Sequence, residues 1–94
     1  MIVEINYSKE ARKFLDKNNL ISQNEVEEKL TLAIKKITKI KNYNIDVKRL
    51  KGNFSNNFRI KTSKIRIIFK IEFGIIYIVS VSDINFRGNV YKKK

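Results

Sequence analysis

FRIKTSKIRIIF, residues 58–69, carries the alternation that decides the fold. Apolar Phe58, Ile60, Ile65, Ile67 and Phe69 alternate with Arg59, Lys61, Lys64 and Arg66, the period of two strands joined by a tight turn. A two-residue loop at Thr62-Ser63 pairs Lys61 with Lys64, Ile60 with Ile65, Arg59 with Arg66 and Phe58 with Ile67. Two like-charge pairs then stand directly opposed on one face, which is destabilising. A fold that keeps them has a use for positive charge at that place.

Outward from this hairpin the same period continues. VKRLKG (47–52) reads as a short extended segment, and NNFRIKT (56–62), KIRIIFKIE (64–72) and IIYIVSVS (75–82) as three successive strands. EFG (72–74) suits a three-residue loop with Gly74 in the left-handed position. That register pairs Arg66 with Ser80, Lys64 with Ser82, Ile67 with Val79 and Ile65 with Val81. Phe58, Ile60, Ile65, Ile67, Phe69, Ile71, Tyr77, Val79 and Val81 then face a core. Arg59, Lys61, Lys64, Arg66, Ser80 and Ser82 face away from it, with Ile68 and Ile78 lower on that second face.

Toward the N-terminus the period changes to 3.6. Ile2 to Ile5 reads as a first strand. Ser8 caps a helix whose apolar stripe is Ala11, Phe14 and Leu15. Ser22 and Glu25 have the spacing of a capping box, Ile21 is placed to staple against Val26, and Val26, Leu30, Ala33, Ile34 and Ile37 line one face of a second helix. The expected fold is α+β: an N-terminal strand, a two-helix hairpin over residues 8–41, and an antiparallel meander of three to four strands. The 94 residues suit a single domain, 1–94.

The formal net charge is +12. Residues 1–50 hold 11 basic and 7 acidic side chains, residues 51–94 hold 10 and 2. Part of this excess is the ordinary surface of a chain crowded with Ile, Lys and Asn. Its concentration in the strand-rich half points to a polyanionic ligand or an acidic partner. The chain has no Cys and no His, so it lacks a disulfide framework, a thiolate metal site and the commonest general base. No apolar run approaches a membrane span, and MIVEINYSKE is not a secretory signal. A cytoplasmic protein with no membrane association, no cofactor and no metal is expected.

The order of elements resembles the RelE/ParE superfamily of type II toxin–antitoxin toxins, with its microbial-ribonuclease-type, RelE-like fold. KRLKGNFSNNFRIKTSKIRIIFKI (48–71) is similar to that family's Leu-x-Gly stretch followed by an aromatic with Arg or Lys, then Tyr-Arg and an aliphatic strand. VSVSDINFRGNVY (79–91) looks like its closing strand, basic residue and Val-Tyr pair, and YSKEARKFLDK (7–17) like its opening helix. The resemblance implies a ribosome-dependent mRNA endoribonuclease, a metal-independent mRNA interferase that inhibits translation. Its partners would be the ribosome, mRNA and a cognate acidic antitoxin in a hetero-oligomer. By the same resemblance Lys61, Arg66, Arg87 and Tyr91 are catalytic, and Arg59 and Lys64 bind RNA phosphate. Ile65 replaces the family's usual Tyr, SDINFR replaces a short Gly-His-Arg or Gly-Lys-Arg connection, and a histidine base has no counterpart.

RNA cleavage by its own 2′-hydroxyl needs a base, cations for the extra phosphate charge and an acid for the leaving 5′ oxygen. Clustered cations favour tyrosinate and neutral lysine, moving both groups toward that role. Arginine stays charged and grips phosphate bidentately. Two other functions fit the same features. ParE-type relatives are non-enzymatic inhibitors of DNA gyrase. A plain RNA-binding module would stack bases on exposed aromatics, for which Phe54, Phe86 and Tyr91 are the candidates.

Overall fold

A computed structural model describes residues 2–18, 21–50 and 56–86. Its elements in chain order are β1 (Val3–Tyr7), α1 (Lys9–Lys17), α2 (Gln23–Ile37), β2 (Asp46–Arg49), β3 (Asn57–Lys61), β4 (Ile65–Glu72) and β5 (Tyr77–Phe86). The five strands form one mixed sheet in the order β1-β5-β4-β3-β2. β1 runs parallel to β5, and the other neighbours are antiparallel. The expected α+β architecture is the one observed.

Both helices start where their capping residues stand. The Ala11 amide donates to Ser8 Oγ at 3.0 Å. The Ser8 hydroxyl donates onward to the Ser82 carbonyl at 2.7 Å, so the same residue ties α1 to β5. Ser22 and Glu25 form the reciprocal capping box, which contributes about 1 kcal/mol. α2 ends with Lys39 at φ 63°. The Lys39 and Ile40 amides donate back to the Lys36 and Lys35 carbonyls, closing the helix in the manner usually reserved for glycine.

Among the described residues, helices cover only one face of the sheet. Ala11, Phe14, Val26, Leu30, Ala33 and Ile34 from the helices meet Phe58, Ile60, Ile65, Ile67, Phe69, Ile71, Val79, Val81 and Ile84 from the strands, all buried. Tyr7 fastens the two layers. Its hydroxyl donates to Glu27 at 2.8 Å, Gln23 donates to the same carboxylate at 2.9 Å, and the Arg12 guanidinium lies 4.9 Å from the Tyr7 ring centre.

Burial, and then the Glu27 carboxylate, push the Tyr7 phenol above its ordinary value. The folded state therefore holds this proton more tightly than the unfolded chain. The contribution is complete below pH ~10 and is lost as pH rises beyond it. Urea midpoints measured from neutral to strongly alkaline pH should fall more steeply for the parent chain than for Tyr7→Phe. Parallel curves would show that Tyr7 is not the group responsible.

The hairpin registers differ from the sequence expectation. β3 and β4 pair Lys61 with Arg66, Ile60 with Ile67, Arg59 with Ile68 and Phe58 with Phe69. The turn has moved one residue on, to Ser63-Lys64. Thr62 decides it: its amide donates to the Ile65 carbonyl at 2.9 Å, while its Oγ1 accepts from the Lys64 and Ile65 amides. The opposed Arg59–Arg66 and Lys61–Lys64 pairs therefore do not form. One like-charge pair, Lys61–Arg66, replaces two.

β4 and β5 pair Glu72 with Ile78 and Phe69 with Val81, so residues 73–77 form a longer connection than EFG. Gly74 is not in the left-handed region. A bulge then follows between Ile68 and Phe69, beyond which Ile68 meets Asp83, Ile67 meets Ile84 and Arg66 meets Asn85. Ser82 supplies the extra residue, and its hydroxyl donates to the Ile68 carbonyl at 3.2 Å. Without it Asp83 would point into the core; with it Ile84 does, at 1% exposure. Ser82 thus belongs to the bulge and does not pair with Lys64, and Ser80 lies opposite Lys70 instead of Arg66.

Candidate functional site

The second face of the sheet carries no helix among the described residues. Strand pairing arranges its side chains in rows. Asp46, Lys61, Arg66 and Asn85 form one row nearest the Ser63 turn. Lys48, Arg59, Ile68 and Asp83 form the next, and Asn57, Lys70 and Ser80 a third. At the far end Glu72 and Ile78 lie opposite one another, beside Glu4. Charge is therefore graded, cationic toward the Ser63 turn and neutral to acidic at the other end. Lys48, Lys70, Asp46, Asp83 and Asn85 were not singled out from the sequence, although period-two counting from Arg59 and Arg66 places Lys48 and Lys70 on this face.

Arg59 is largely enclosed, with 12% of its side chain exposed. Flanking Phe58 and Ile60 are buried and hold its backbone. Its Nη2 lies 3.7 Å from Asp46 Oδ1, and Asp46 is 48% exposed. Arg59 Nη1 is buried with no hydrogen-bond partner. Arg66 is half-buried between buried Ile65 and Ile67, and its Nε is also buried without a partner. An unmatched buried donor costs about 1–3 kcal/mol. Two on diagonal positions of adjacent strands, beside the opposed Lys61, make a place suited to an oxyanion with several acceptor oxygens.

Asp83 accepts from Asn85 Nδ2 at 2.7 Å and forms no ion pair with Arg66 among the described residues. Lys64 stands apart from the cluster. It is exposed in the turn and borders a cleft with Ile21, Glu25, Val26 and Lys29 at the start of α2. Arg87 and Tyr91, and Phe54 with them, lie outside the described residues. Phe86 does not offer a free ring for stacking: it is half-buried, with its ring centre 4.9 Å from that of Phe14. The described tyrosines Tyr7, Tyr43 and Tyr77 pack against the core. Among the described residues no group of three or more Asp and Glu side chains is arranged to hold a metal, and no helix is long and apolar enough to cross a membrane.

No protein-family model matches the chain, and no curated protein matches it. Solved structures do. A chain of the RelB–RelE antitoxin–toxin complex from Methanococcus jannaschii superposes with a TM-score of 0.55 at 16% identity, over 92% of this chain and 94% of that one. The YoeB/ParE toxin from Agrobacterium tumefaciens gives 0.55 at 12% identity, over 89% and 98%. YafQ from E. coli gives 0.52 at 10% identity, over 94% and 97%. At such identities the likeness is one of fold, and it covers about nine-tenths of the chain. With β1 alongside β5, two helices on one face and the cationic strands on the other, this chain has the RelE/ParE toxin fold.

Proposed function

We propose that this chain is the toxin of a type II toxin–antitoxin system, acting as one domain that cuts mRNA on the ribosome. The observation that carries the reading is the pair of buried guanidinium donors on Arg59 and Arg66, unpartnered among the described residues and set beside Lys61 on the sheet face opposite the helices. Arg59 and Arg66 hold the scissile phosphate and take up the charge it gains when the 2′-hydroxyl attacks. Lys61 adds charge at the same phosphate. Arg87 and Tyr91 are assigned catalytic roles through the family resemblance alone. Lys64, placed in the turn, contributes to long-range attraction of RNA more than to the phosphate contact.

An acidic antitoxin would neutralise the protein by covering this face, as suits a fold that in M. jannaschii was crystallised as an antitoxin–toxin complex. Single-turnover incubation with programmed ribosomes tests the activity: cleavage within the mRNA is expected, and an intact mRNA together with arrested gyrase supercoiling would assign the chain to the gyrase inhibitors. Changing Arg59, Lys61 and Arg66 together to Glu should also abolish capture by the antitoxin. Undiminished capture would place the antitoxin on the helices instead.

A further inference from the structure

Asp46 is an acid set within the cationic end of the face, and its pairing with Arg59 is unlike that of a structural ion pair. Structural arginine–carboxylate pairs are short and often bidentate. Here one oxygen approaches one nitrogen at 3.7 Å, and Arg59 Nη1 is left buried without a partner. Asp46 opens β2, an edge strand, and is half-exposed, whereas Arg59 is enclosed. Of the two, the carboxylate is the group free to withdraw. Its register partner on β3 is Lys61.

We propose that Asp46 is a built-in competitor for the anion site. Its carboxylate occupies the side of Arg59 that a substrate phosphate oxygen takes, and phosphate entry displaces it from Arg59 toward solvent. This rests on the reading of the face as a phosphate site and adds a gate to it. In the free protein the gate lowers affinity for stray anions. On substrate binding it withdraws and frees the whole Arg59 fork.

The test is binding rather than cleavage, with inorganic phosphate and a short oligodeoxyribonucleotide as probes, followed by calorimetry and by the NMR signals of the arginine side chains. Asp46→Asn should bind both probes about two- to fivefold tighter, the range expected for losing one partly exposed ion pair. Asp83→Asn makes the same charge change on the same face without touching Arg59, and should have a smaller effect. In an Arg59→Gln background the gain from Asp46→Asn should vanish, since the coupling runs through that guanidinium. An unchanged or weaker affinity for Asp46→Asn, or the same gain with Arg59 removed, overturns the gate. If Arg59→Gln and Arg66→Gln leave probe binding unaffected, the phosphate site itself is misassigned, an outcome distinct from failure of the gate alone.

Discussion

Arg66→Ala is expected to fold normally and to lose about 10²–10³ in the rate of mRNA cleavage. The loss corresponds to about 2.7–4 kcal/mol, the magnitude for removing one preorganised donor from a charge that develops in the transition state. The fold should tolerate the change because no hydrogen bond or ion pair among the described residues depends on the guanidinium. Arg66 Nε has no hydrogen-bond partner, and the side chain forms no ion pair among the described residues. Its cross-strand neighbour is Lys61, a like charge, so truncation removes repulsion and the thermal midpoint should stay level or rise slightly. Two measurements decide the matter, thermal unfolding and single-turnover cleavage on programmed ribosomes. A much lower midpoint would make Arg66 structural. A normal fold with parental cleavage would move the chemistry off this face.

Phe69→Ala should have the largest effect on stability, about 3–5 kcal/mol. Phe69 is fully buried, is among the largest enclosed side chains, and stacks on Phe58 with ring centres 5.7 Å apart. It also sits beside the bulge, the point where β4 and β5 change register. The cavity left behind would therefore open at the joint that turns Ile84 inward and Asp83 outward. Small domains have roughly 5–15 kcal/mol in hand, so this variant should be largely unfolded in mild urea. Phe69→Leu keeps more of the volume and should remain folded with a reduced midpoint. An alanine variant whose urea midpoint barely moved would show that the neighbouring strands collapse into the space.

Much of this architecture was legible in the chain. The period-two runs from Phe58 to Val81 placed the buried face correctly, and the Ser8 and Ser22–Glu25 signals placed both helix starts. These are local properties: a side chain's face follows from counting, and a cap follows from the hydroxyl or carboxyl next to the free amides. Arg59, Lys61 and Arg66 were found the same way, as cations that core neighbours force outward.

Register was not legible, because the β3–β4 hairpin and, up to the bulge, the β4–β5 hairpin were displaced by an even number of residues. Such a shift leaves every side chain on its proper face, so hydrophobic alternation cannot detect it. Thr62 chose between the registers of β3–β4 through hydrogen bonds that exist only once the turn has closed. At Ser82-Asp83 the alternation breaks, and a break reads as the end of a strand. The folded sheet instead absorbs Ser82 as a bulge and continues β5 to Phe86, because burying Ile84 and packing Phe86 against Phe14 is favourable and burying Asp83 is not. The pairing of β1 with β5, and the meeting of Asp46 with Arg59 across β2 and β3, are contacts between distant segments. They depend on how the strands are ordered in space, which no local pattern of residues encodes.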